Sequence, residues 1–102
     1  MTYANGLTDA GLERLAILAE ECGEVIQAVG KILRHGYEND WLASRHLSSN
    51  RQHLEEELGN VLYAVELLRG SNDISIDAVV AHAEEKKESI KPYLYYQNLE
   101  CK

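Results

Sequence analysis

Residues 18 to 29, LAEECGEVIQAV, recur as residues 54 to 65, LEEELGNVLYAV, at a constant offset of 36, with seven of the twelve positions identical. A chain that repeats an acid-rich segment this closely is constrained to fold around a pseudo-symmetric pair of like elements. Glu20 and Glu21 match Glu56 and Glu57, Gly23 matches Gly59, Ala28 matches Ala64, and Glu24 falls opposite Asn60. Two such elements facing each other bring acids from both copies to one place, where a divalent cation can gather them.

Spacing identifies the elements as helices. Leu12, Leu15, Ala19, Cys22, Ile26, Val29 and Leu33 alternate steps of three and four, and at about 100° per residue they form one seam. Leu18, Val25 and Ile32 widen it into an apolar stripe of the kind that buries a helix against partners. With Cys22 at 0°, Glu21 falls near 260° and Glu24 near 200°, on a flanking ridge shared with Ile17 and Ala28. Glu13, Glu20, Gln27 and Lys31 lie further round, on the wet face. In the second copy, Glu57 and Asn60 occupy the equivalent ridge, together with His53 and Ala64.

Acids three residues apart usually mark a solvated helix face, and an old hairpin duplication without chemistry would also leave a repeat. Repetition of the acids themselves favours a site. Each copy also keeps a mid-helix glycine, Gly23 and Gly59, at a cost of about 1 kcal/mol relative to alanine. Close approach of two backbones would explain that cost.

Composition narrows the partners. A formal charge of -7 and a pI near 5.0 argue against a nucleic-acid backbone or an anionic membrane as the main partner. An acidic protein that handles phosphates needs a cation between them. The cysteines, Cys22 and Cys101, are 79 positions apart and form neither a disulfide framework nor a zinc spacing. The opening MTYANGLTDAGLERL has no basic and apolar leader pattern, and no apolar run reaches membrane length. These features predict a soluble, cytoplasmic protein.

The 102 residues predict a single domain with a core over about 10–91 and a tail over 92–102. A core lacking phenylalanine in so short a chain, with apolar seams left over, predicts association into a homotetramer or homodimer. The first helix should begin after Thr8 and stop at Gly36. Residues 37 to 49, with Tyr37 and Trp41, should form a linker that holds a short helix. A further helix should run from near Asn50 to Gly70, and a last one from Ser75 to about Lys91, before Pro92. No stretch shows useful strand-like alternation, so the expected fold is all-α and resembles a four-helix bundle.

Carboxylates and an amide oxygen on two facing helices are hard ligands, suited to magnesium or manganese rather than zinc or copper. Such a cation can bridge phosphate oxygens and activate a water that attacks phosphorus. Glu20 or Glu56, one step round from a ligand, could accept the proton. The rival is a carboxylate-bridged di-iron bundle, which requires Glu-x-x-His on two helices. None of His35, His46, His53 and His82 has a glutamate three residues before it, which disfavours iron.

LAEECGEVIQAVGKILRHG followed by LEEELGNVLYAVELL resembles the core of the all-alpha nucleoside triphosphate pyrophosphohydrolases, the MazG-like superfamily, over roughly residues 10 to 91. Its pattern of EExxE and ExxD is met by Glu20, Glu21 and Glu24, and then by Glu57 with Asn60 where the last acid stands. The resemblance implies magnesium at Glu21, Glu24, Glu57 and Asn60, and catalysis by these acids with Glu20 beside the attacking water. It implies cleavage between the alpha and beta phosphates of a nucleoside triphosphate, to monophosphate and pyrophosphate. Lys87 and Lys91 are then the phosphate-holding cations, with Lys31 and Lys86 behind them, and Trp41 can stack on the base. Asn60 brings no charge, so a second reading stays open: a catalytically weakened helical module that binds a nucleotide or a protein partner.

Overall fold

Thr8 starts the first helix in the computed structural model, which describes residues 2–38 and 48–97. Its hydroxyl accepts a hydrogen bond from the Gly11 amide at 3.0 Å, so α1 runs Asp9–His35 with one of its four orphan amides satisfied. Gly36 ends it at φ 86°, a backbone setting that glycine takes without steric cost. Ser49 opens α2, Asn50–Gly70, with a reciprocal capping box in which Ser49 and Gln52 satisfy each other's amides. Ser75 accepts from the Ala78 amide and opens α3, Ile76–Ser89. A single 3-10 turn follows over Lys91–Tyr93. Pro92, which lacks an amide hydrogen, fits there but could not extend the helix.

These bounds agree with those expected from capping and breakers to within two residues. The stop of α2 differs in detail. The left-handed residue is Asn72, at φ 61°, rather than Gly70, and the Asp73 amide donates to the Leu68 carbonyl at 2.9 Å. Most of the expected short helix of the linker, residues 39 to 47, lies outside the described residues. The described residues form an all-α fold of three helices without strands.

α1 and α2 make an antiparallel hairpin, pinned at both ends. At one end Arg14 grips Asp73 with two hydrogen bonds, at 2.7 and 3.2 Å. Arg14 holds the Asp73 carboxyl below its usual range, so this contribution is present above the ordinary aspartate value and fades as pH falls through the lowered one. At the other end Asn50 donates to the Gly36 carbonyl at 3.0 Å and the Arg51 amide to the Tyr37 carbonyl at 2.8 Å. The Arg51 guanidinium pairs with Glu38 and lies 4.4 Å from the centre of the Tyr37 ring.

Between the pins, the facing sides carry half-buried Leu18, Val25 and Ile32 of α1 and Leu54, Val61 and Val65 of α2. Ala28, Ala64 and Leu68 are the fully buried apolar residues of these helices. This corrects the expected packing of the single chain. The seam predicted to face inward is largely exposed, with Ile26 at 72% and Leu33 at 83%, while the flanking ridge of Ile17, Glu21, Glu24 and Ala28 turns toward α2. On that ridge Ala28, like Ala64 on α2, leaves room for the opposite helix.

Nor does the hairpin explain the repeated glycines. A Cβ on Gly23 or Gly59 would meet nothing within 4 Å. α3 has no buried residue and makes no extensive contact with α1 or α2. The radius of gyration is accordingly 17.6 Å, against about 13 Å for a compact domain of this length. Replacing Gly23 or Gly59 by alanine should stabilise an isolated chain by about 1 kcal/mol each, since helix propensity improves without a clash. Urea melts of the two variants check this, and a loss of stability would instead place a second backbone against that surface.

Candidate metal and phosphate site

Four glutamates stand at the middle of the hairpin. Glu20, Glu21 and Glu24 offer carboxylate oxygens that all lie within 4.8 Å of one another, on successive turns of α1. From α2, Glu57 comes up against Glu24. Glu57 is 5% exposed and Glu21 and Glu24 are half-buried, whereas Glu20 remains on the rim. Helix periodicity puts Glu21, Glu24 and Ala28 on one side of α1, and Glu57 and Ala64 on the matching side of α2. Turning these two sides toward each other brings Glu24 against Glu57.

The electrostatic consequence is a raised affinity for positive charge. Glu24 is held above the ordinary glutamate range of 4.5, first by its hydrogen bond with Glu57, then by the charge of Glu57 and by desolvation. His53 acts in the opposite direction, with Nε2 3.5 Å from Glu57 Oε1, one helical turn away. Oε2 of Glu21 and Oε2 of Glu57 are buried without a hydrogen-bond partner. A shared proton or a cation relieves that cost. The donors are all hard carboxylate oxygens, so the residues fit magnesium or manganese.

The other expected residues are placed as follows. Asn60 is exposed on α2, one turn beyond Glu57. Lys31 is exposed on α1, two turns beyond Glu24. Lys87 belongs to α3 and Lys91 to the turn after it, where Lys91 Nζ pairs with Glu88 at 2.8 Å. Because α3 makes no extensive contact with the hairpin, the single chain does not carry these two cations to the acids. Trp41 lies outside the described residues, and the Tyr37 ring already has the Arg51 guanidinium against it.

Two features went beyond the sequence reading. Glu20 joins the acid group itself, for which its i, i+4 relation to Glu24 was the available signal. The pairing of Glu24 with Glu57 had no sequence signal, because it depends on the register between the helices.

Glu24 binds its proton more tightly in the folded chain than in the unfolded one, so this group's contribution is lost as pH rises from 4.5 through the raised value. In chelator-treated protein, Glu24→Gln should therefore gain in melting temperature over the parent as pH rises, because the amide still donates to Glu57 without repelling it. Manganese should raise the parent's melting temperature most at the alkaline end. Thermal melts across pH check both, and a constant difference between variant and parent would sink the shared proton.

The match with known families agrees with this geometry. Residues 11–95 match the family described as the MazG nucleotide pyrophosphohydrolase domain, a span that covers all three helices. Members generally hydrolyse nucleotide phosphoanhydrides with a divalent metal. No curated protein and no solved structure matches the chain. No helix among the described residues is long and apolar enough to cross a membrane. With the repeated acids meeting across the α1–α2 hairpin and the family match running through it, the chain belongs to the MazG nucleotide pyrophosphohydrolase domain family.

Proposed function

We propose that this chain is a magnesium-dependent nucleoside triphosphate pyrophosphohydrolase, cleaving the alpha–beta phosphoanhydride to give nucleoside monophosphate and pyrophosphate. The observation that carries the reading is the meeting of Glu24 and Glu57 across the hairpin, beside the buried and unpartnered oxygens of Glu21 and Glu57. Three acids concentrated without a counter-cation are costly unless a cation is part of the working state.

Glu21, Glu24 and Glu57 would hold magnesium, or manganese in its place. The repeat adds Asn60, because the Glu24–Glu57 contact has a symmetry mate in Glu21 and Asn60. When bound, the cation neutralises phosphate oxygens and lowers the pKa of a water in its shell. Glu20, on the exposed rim of the group, accepts the proton of the attacking water. Lys31 supplies positive charge from the same helix, while Lys87, Lys91 and Trp41 hold the triphosphate and base when brought over the site.

Assembly belongs to the same reading. The exposed seam of α1, with Leu62 and Tyr63 of α2 and the unburied helix α3, leaves more apolar surface than a soluble monomer of this size keeps. A homotetramer built from dimers, or a homodimer, covers it.

Asn60 favours the second reading, a catalytically weakened module that retains nucleotide binding, since a neutral amide lowers the ligand charge count. Pyrophosphate release across ribo- and deoxynucleoside triphosphates, with magnesium or manganese, separates the two readings and names the substrate. Turnover by the parent, its loss in Glu21→Gln and Glu24→Gln, and a drop of roughly 10²–10⁴-fold in kcat for Glu20→Gln are the expected results. Asn60→Asp should tighten magnesium binding and raise turnover, because the cation favours an ionised side chain of nearly equal size. If titration and rates are both unchanged, position 60 stands outside the ligand set. Light scattering tests assembly, and a stable monomer of 11.5 kDa would contradict it.

A further inference from the structure

We infer that His53 is a positioning residue for Glu57, holding that carboxylate in its ligating orientation through a neutral ring N–H. This inference rests on the metal reading above and adds a residue to it. His53 precedes Glu57 by four residues on α2, so their side chains lie one above the other on the same face. His53 Nε2 stands 3.5 Å from Glu57 Oε1, with the His53 side chain 35% exposed and that of Glu57 only 6%. At that separation the ring stands just beyond ordinary hydrogen-bond range, with the carboxylate the more buried partner.

A carboxylate that ligates a cation through one oxygen keeps its orientation when a donor holds the other. Oε2 of Glu57 is buried without a hydrogen-bond partner and is the oxygen open to a cation, whereas Oε1 is the one that faces His53. The imidazole with hydrogen on Nε2 supplies that donor. Ligating carboxylates generally depend on such outer partners, whose removal costs about 10–100-fold in metal affinity.

The experiment measures manganese affinity by calorimetry for the full chain, His53→Ala, His53→Gln and Glu57→Gln, with melting of the metal-free proteins alongside. His53→Ala should weaken manganese binding by at least about tenfold. His53→Gln, whose amide nitrogen reaches the position of Nε2, should restore it to within about threefold of the parent, and neither change should follow the metal-free melting temperature. Parent-like affinity in His53→Ala, or equal loss in His53→Ala and His53→Gln, overturns the positioning role while leaving the metal reading intact. A parent that takes up no manganese, or that binds no better than Glu57→Gln, overturns the metal reading and this inference with it.

Discussion

The structure depends on which sides of α1 and α2 face each other. Ala28 and Ala64, each with 1% exposure or less, lie on those sides and let the opposite helix approach closely. Helical periodicity places Glu21 and Glu24 on the side of Ala28, and Glu57 on the side of Ala64, so the inward turn half-buries the first two and brings Glu24 against Glu57. The hairpin is further held by Leu68 and by the polar pins at its ends.

A fold organised in this way carries its functional cost inside its structural contact. Hydrophobic packing brings the helices together and carboxylate repulsion pushes them apart, and a proton or a cation decides the balance. Binding of a cation and stability of the hairpin are therefore linked quantities, since whatever binds the folded acids stabilises the fold.

The thin inner contact also accounts for the outer surface. Among the described apolar residues only Ala28, Ala64 and Leu68 are fully buried, while Leu12, Leu15, Ile26, Leu33, Leu58, Leu62 and the tyrosines stay exposed. α3 adds no covered surface, although its own caps and boundaries are well formed. Helix formation and helix burial are here separate matters: the first is met by local hydrogen bonding, the second by partners that one copy of the hairpin does not provide.

Local signals in the sequence determined the helices and their chemistry. Thr8, Ser49 and Ser75 cap, Gly36 and Pro92 stop, and the repeat at an offset of 36 matches Glu21 with Glu57 and Glu24 with Asn60, because capping, breaking and helical spacing act within a few residues. Only the tertiary structure decided which side of each helix turned inward. Apolar periodicity records that a face avoids water without recording what covers it, so the broad seam of Leu12, Ile26 and Leu33 read as the core yet lies outside the hairpin. The sides that did turn inward, those of Ala28 and Ala64, were fixed together with the register of the pair. That register of one helix against the other made neighbours of Glu24 and Glu57, residues 33 positions apart whose meeting no local pattern encodes.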